Sequence, residues 1–264
     1  MKLSRLWKKK RSLHFYTPWA GSWDEAEKES AEKQGVSYGS ESMARSDRAY
    51  RDEFLRNFSG ERTFIDGQAQ QLLSALAIVL SRHQLKSLKI LDFGGGWEMY
   101  YHYLHRALPW IDLDWLIVET EVMAKTLEPC ADDHVRWQST LPEIPAGALR
   151  AAEKPFDVCL ASASLQHVAP VEEIVRRLAG LGRYLLINRT PVLDIAEDQI
   201  VFQRSTKQHA LSLVARLLSE QKLVKLLRSL GTMRLDWTVP QDYATFRDKS
   251  VPFKGYLVET SPLT

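Results

Sequence analysis

The stretch Leu88-Lys89-Ile90-Leu91-Asp92-Phe93-Gly94-Gly95-Gly96-Trp97 decides the fold of this 264-residue chain. An apolar run, an acid and three consecutive glycines follow one another almost without a spacer. Ile90-Leu91 reads as a buried strand. The glycines read as a tight turn, because a residue without Cβ reaches backbone angles closed to others and lets a ligand approach the main chain. Residues 97–108 then show helical periodicity and stop before Pro109. A strand, a glycine turn and a helix N-terminus together form a site for a nucleotide-type ligand.

Working outward, Leu72, Leu73, Leu76, Ile78, Val79 and Leu80 mark a core-facing helix ahead of that strand. Behind it, strands are predicted at 115–119, 135–138, 156–161 and 184–188, with helices at 121–127 and 171–181. Strands alternating with helices predict a mostly parallel sheet covered on both faces. A long helix is expected over 208–230, stopped by Gly231, followed by strands at 233–239 and 255–260. The segment between those two strands is barely long enough for a helical crossover and opens on a Val-Pro step, so the pair is read as antiparallel. The sum is a doubly wound α/β fold with a seven-stranded sheet whose last strand is antiparallel.

Residues 12–60 are polar and aromatic, without sustained apolar periodicity. Ser22-Trp23-Asp24-Glu25 fits a capping box, so a helix is expected from Trp23 to about Gln34, stopped by Gly35. A second is expected from Glu41 to Asn57. The region has too few apolar residues for its own core, so the chain divides into a basic tail with a helical arm or lid (1–60) and a main domain (61–264). Lys2, Arg5, Lys8, Lys9, Lys10 and Arg11 crowd the tail. It lacks the apolar core of a secretion signal, and no run approaches a membrane span. It reads as a solvated basic tail, with contact to an anionic membrane surface as the alternative. A net charge of +2 gives no ground for nucleic-acid binding. Cys130 and Cys159 form no disulfide or zinc framework, which suits a reducing, cytoplasmic setting.

The residues also choose between cofactors. A dinucleotide site wants G-x-G-x-x-G, and here Met99 stands at the third glycine position. Asp92, two residues before the first glycine, suits a ligand with a positive amino group better than a pyrophosphate. The reading is therefore S-adenosylmethionine, held by Asp92, Gly94, Gly95 and Gly96. Glu119, at the tip of the next strand, accepts from ribose hydroxyls, a role both cofactors predict. Ser162 and Ala163 are the small residues that leave room in the crevice, and Ser139 reaches toward the adenine edge.

With these residues in place, Leu91-Asp92-Phe93-Gly94-Gly95-Gly96, Val118-Glu119, Leu165-Gln166-His167-Val168 and Ile187-Asn188-Arg189-Thr190-Pro191 resemble the class I S-adenosylmethionine-dependent methyltransferases. Ser22-Trp23-Asp24-Glu25-Ala26 and Gly60-Glu61-Arg62-Thr63-Phe64-Ile65-Asp66-Gly67 are similar to signatures of a bacterial group often found with surface-polysaccharide biosynthesis genes. The resemblance spans roughly residues 22–205. It implies a Rossmann-like fold and methyl transfer to oxygen or nitrogen of a small molecule or glycan precursor. The class carries another glycine where this chain has Glu98. An acid is favourable at a helix start, yet it adds negative charge beside the cofactor.

Methyl transfer from a sulfonium needs alignment, water exclusion and, for a hydroxyl or ammonium acceptor, a base. His167, just after the fourth strand, is the candidate base, with a loop-packing role as its alternative. Arg189, after the fifth strand, is the candidate to hold an anionic substrate group, with a loop-fixing salt bridge as its alternative. Tyr38 in the arm is the candidate cap over the bound molecules. His102 and His105, three apart on a helix, have no third ligand, so no metal is expected. The rival readings are a nicotinamide-dependent oxidoreductase and a non-catalytic scaffold, the latter grounded on Glu98.

Overall fold

The computed structural model describes residues 14–34, 39–58, 67–143, 154–205 and 212–261. The basic tail, Tyr38 and most of the Gly60–Gly67 signature lie outside the described residues. The order is β1 (His14–Pro18), α1 (Trp23–Gln34), α2 (Glu41–Asn57), α3 (Gly67–His83), β2 (Ser87–Phe93), α4 (Met99–Ala107), β3 (Asp112–Val118) and α5 (Glu121–Leu127). There follow β4 (Val135–Gln138), β5 (Phe156–Ser162), α6 (Val171–Leu181), β6 (Gly182–Leu193), β7 (Gln199–Ser205), β8 (Ser212–Ser219), α7 (Glu220–Leu230), β9 (Gly231–Phe246) and β10 (Lys249–Thr260).

Strands β4, β3, β2, β5 and β6 lie side by side and all parallel, with Asp92 opposite Ile117 on one side and Leu160 on the other. Successive residues of β2 feed opposite faces: Ile90 packs in the core under α3 and α4, and Leu91 in the core under α6 and α7. That alternation inside one apolar run is what a sheet buried on both faces requires. β10 is antiparallel to both β6 and β9, and the β9–β10 hairpin closes at Arg247-Asp248 with φ of 49° and 63°. Two adjacent positive φ values make the tight turn whose twist matches paired strands.

Three expectations need correction. Residues 14–18, expected to belong to the tail and helical arm, form β1, which pairs with β7 and β9 inside the sheet. The sheet has ten strands rather than seven, and six of them (β6, β8, β7, β1, β9 and β10) pair in a closed ring. The expected helix over 208–230 is instead β8 followed by α7, with Ser219 capping the helix through Lys222 N. β8 reads as helix in the sequence because Leu213, Val214, Ala215, Leu217 and Leu218 are all buried. A strand covered on both faces loses the alternation that would reveal it. β6 joins the two halves of the molecule. Its first part pairs with β5, and Val192 and Leu193 pair with β8. Between them Asn188 and Arg189 face the single residue Gly255, with Arg189 at φ 55°. A two-against-one bulge bends the strand and curls the sheet into the barrel. Gly255 has no room for a Cβ, which would sit 2.1 Å from Trp237 Cε2. Tyr16, Val201, Leu217, Val239, Phe246 and Phe253 fill the barrel interior. No helix among the described residues is long and apolar enough to cross a membrane.

Candidate active site

The bend after β2 is dictated by space as much as by conformation. Gly94 and Gly96 take φ of 69° and 57°. A Cβ on Gly94 would lie 2.4 Å from Ser164 Cβ, and one on Gly95 would lie 2.5 Å from Asp92 Oδ2. Gly94 N donates to Val118 O at 2.8 Å, which ties the bend to the end of β3.

Three carboxylates converge on this bend. Asp92 is 2% exposed beneath Gly95; its Oδ2 accepts from Trp115 Nε1 at 3.3 Å, and its Oδ1 has no partner. Burial pushes its pKa up to about 7; the Trp115 bond opposes this and the charge of Glu119 adds to it. Glu119 Oε1 accepts from Gly96 N at 2.9 Å, and Oε2 from Thr120 N at 3.0 Å. Burial raises its pKa too, against those two amides. Asp47 comes from α2 and places Oδ2 3.6 Å from where a Gly96 Cβ would be. Burial, then Glu119, pushes its pKa up to about 6. Nothing local in the sequence marks Asp47. It arrives because α2 packs on α5, through Ala44 against Met123 and Leu127 and through Arg48 Nη1 donating to Thr126 O at 3.0 Å.

These shifts carry a sign that can be measured. Asp47 and Asp92 ionise later in the folded chain than in the unfolded one. From about pH 4 up to about 6 for Asp47, and about 7 for Asp92, the folded chain holds the extra protons. Stability of the unliganded protein therefore falls as pH rises through that window. Affinity for a cationic ligand rises through the same window. Thermal melts across it, with Asp47→Asn showing a flatter slope, check this; a wild-type melting temperature that climbs with pH would contradict it.

Glu98 is turned away from the bend. Its Oε1 accepts from Arg51 Nε of α2 at 2.5 Å and lies 3.1 Å from His102 Nε2. Burial disfavours its charge, but His102 and Arg51 outweigh this and leave its pKa below the ordinary value. The negative charge that replaces the usual glycine is thus neutralised by the arm, and it pins α2 over the site. Arg51→Met is expected to cost about 1–3 kcal/mol, since His102 stays behind as a partial partner. Urea unfolding would read it, and an unchanged midpoint would show that the link carries no stability.

A cavity of about 540 Å³ opens at the carboxyl ends of β2 to β5, with Gly94, Glu119, Ser139, Leu141, Ala163 and His167 among its walls. Asp92, Gly95 and Gly96 form the bend behind it. His167 Nδ1 lies 2.9 Å from Val214 O. A carbonyl only accepts, so Nδ1 carries the hydrogen and Nε2 is the basic nitrogen. Ser162 and Arg189 are elsewhere. Ser162 Oγ bonds Tyr100 OH at 3.0 Å and Asn188 Nδ2 at 3.4 Å. Arg189 grips Asp242 with Nε to Oδ2 at 2.6 Å and Nη2 to Oδ1 at 3.2 Å. Burial works against the Arg189 charge, while Tyr100 and Asp242 outweigh it and hold its pKa above the ordinary value. The reason is topological: β6 runs on past Asn188 into the barrel, so Arg189 sits within a strand rather than in a loop at the sheet edge. Tyr38 lies outside the described residues.

Solved structures are similar to this fold in part. A candidate sarcosine dimethylglycine methyltransferase from Galdieria sulphuraria superposes with a TM-score of 0.50 at 13% identity, over 74% of this chain and 85% of that one. The fold is methyltransferase-like. The 1,6-didemethyltoxoflavin-N1-methyltransferase of Burkholderia thailandensis, solved with its toxoflavin precursor and S-adenosylhomocysteine bound, has a TM-score of 0.49 at 15% identity over 93% of this chain and 95% of its own. An S-adenosylmethionine-dependent methyltransferase from Clostridium acetobutylicum has 0.47 at 10%, over 80% of this chain and 99% of its own. No protein-family model matches the sequence, and no curated protein matches it. Likeness at such identities establishes the fold alone.

Proposed function

We propose that this chain is an S-adenosylmethionine-dependent methyltransferase acting on an oxygen or nitrogen of a small molecule. One observation carries the reading: Asp92, Glu119 and Asp47 surround a glycine bend with no cationic side chain bonded to any of them among the described residues, and a buried Asp92 oxygen is left without a partner. Such a hollow calls for a ligand that brings positive charge. S-adenosylmethionine brings an ammonium, a sulfonium and a ribose diol. A nicotinamide dinucleotide brings a pyrophosphate, which three carboxylates repel. Glu119 suits the diol even with both oxygens engaged, because a carboxylate offers about four acceptor positions and two backbone amides use two of them.

The sulfonium, when bound, supplies an activated methyl group. The chain's own residues then have three tasks. The glycine bend and Glu119 orient the cofactor, Leu141 and Ile174 help exclude water from the cavity, and His167 Nε2 takes the proton of a hydroxyl or ammonium acceptor. The scaffold alternative loses its ground once the Glu98 charge is paired with Arg51. Helices α1 and α2 act as the lid over a main domain of 61–264, which β1 joins as a barrel strand, and the two free cysteines suit a cytoplasmic setting. A glycan-precursor acceptor and contact of the tail with a membrane surface rest on the sequence alone. Calorimetry tests the reading: one-site binding of S-adenosylhomocysteine, lost in Asp92→Ala, with no heat from NADH. Binding of NADH in preference to S-adenosylhomocysteine would overturn it.

A further inference from the structure

A second hollow, of about 370 Å³, lies between α1 and β8, and it shares Thr120 and His167 with the cofactor cavity as a common wall. Its remaining surface is Trp23, Ala31, Gly39, Leu213 and Val214, with Ser30 and the carboxylate of Glu27 as its polar side chains. No lysine or arginine lines it among the described residues. Arg216 touches the Trp23 ring at 5.1 Å, but it belongs to an ion pair with Asp198 at 4.0 Å and is not part of the wall. Of the three carboxylates around the glycine bend, Glu119 lines the cofactor cavity and none lines this hollow.

Resting on the methyltransferase reading above, we infer that this hollow is the acceptor site and that it takes a small aromatic or heteroaromatic alcohol or amine, neutral or cationic, and excludes phosphorylated sugars. Size, surface and charge all point this way. A volume at the lower end of ligand pockets suits one or two rings and not a nucleotide sugar. An indole face with aliphatic neighbours stacks a flat ring. A lone carboxylate attracts an amine and repels phosphate. The placement of His167 in both walls meets the need of the transfer. The acceptor's oxygen or nitrogen forms the new bond to the methyl carbon, the carbon–sulfur electron pair stays on sulfur, and the acceptor's proton passes to His167.

The experiment uses the full chain saturated with S-adenosylhomocysteine and two phenols of like size and opposite charge, tyramine and 4-hydroxyphenylacetate, with uridine diphosphate N-acetylglucosamine as the phosphorylated probe. Ligand-observed NMR reads the affinities. Tyramine is expected to bind about three- to tenfold tighter than 4-hydroxyphenylacetate and far tighter than the nucleotide sugar. Glu27→Lys, at an exposed helix position, is expected to reverse the order of the two phenols. Trp23→Ala is expected to weaken both while leaving S-adenosylhomocysteine affinity unchanged. Tighter binding of the nucleotide sugar, no binding of either phenol, or phenol binding indifferent to both substitutions would overturn the inference. Failure of S-adenosylhomocysteine itself to bind would instead bring down the methyltransferase reading, and the acceptor assignment with it.

Discussion

Glu119→Ala is expected to weaken S-adenosylhomocysteine binding by at least about 100-fold. Two charge-assisted hydrogen bonds to the ribose, at about 1.5–3 kcal/mol each, account for that loss. The substitution also removes the acceptor for the Gly96 amide, at 2.9 Å in the folded chain, so the bend itself loses an anchor. Glu119→Gln keeps the shape and one acceptor oxygen and should fall between, about tenfold weaker. Because a dinucleotide would use Glu119 as well, the measurement gains its force beside Asp47→Asn. Removing the Asp47 charge weakens a cationic ligand and strengthens a pyrophosphate one. Calorimetry on the two variants reads both, and a Glu119→Ala protein that binds like wild type would remove the ribose assignment.

Asp242→Ala, which removes a buried charge, is expected to destabilise the fold more than Arg51→Met does. Asp242 is 2% and Arg189 21% exposed in their side chains, and the pair is bidentate. Deleting one member leaves a cation with little water around it, which costs about 3–5 kcal/mol. For a chain of this size that is a fall in melting temperature of roughly 10 °C. Arg189 also holds a left-handed φ of 55° at the bulge that turns β6 from the parallel sheet into the barrel. Arg189→Met/Asp242→Leu, which removes both charges, should recover much of the loss. A double variant no better than Asp242→Ala would mean that the pair acts through geometry rather than charge. Substrate affinity is the complementary readout. If Arg189 held an anionic acceptor, its loss would raise KM without lowering stability.

Much of the molecule is legible in its sequence, for physical reasons that can be named. β2, β3 and β5 announce themselves as short apolar runs because parallel strands are buried on both faces. α2 and α5 begin and end as predicted, because Ser40 and Thr120 cap through the amides of Met43 and Met123 and leave a local signal. β8 carries the same kind of apolar run as β2, but it leads without a break into α7, so its pattern merges with that of a helix. β1 and β7 are short and half polar, and only their pairing with each other and with β8 and β9 makes them strands.

The site divides along the same line. Asp92, the three glycines and Glu119 are close in sequence to the strand ends that place them, so their chemistry follows from local order, and Gly94, Ala163 and His167 meet in one cavity wall. Asp47 and Arg51 reach the bend from an arm more than 40 residues upstream of it, with Arg51 bonded to Glu98 across a separation of 47 residues. Arg189 is drawn away from the cavity because β6 keeps going as a strand, and Ser162, the last residue of β5, is engaged by Tyr100 and Asn188. Local sequence determined the strand–glycine–helix unit and its carboxylates, since these depend on neighbours within a few residues. Only the tertiary structure decided the barrel, the third carboxylate and the fate of Arg189, since each is settled by which distant backbone and side-chain partners come within bonding reach.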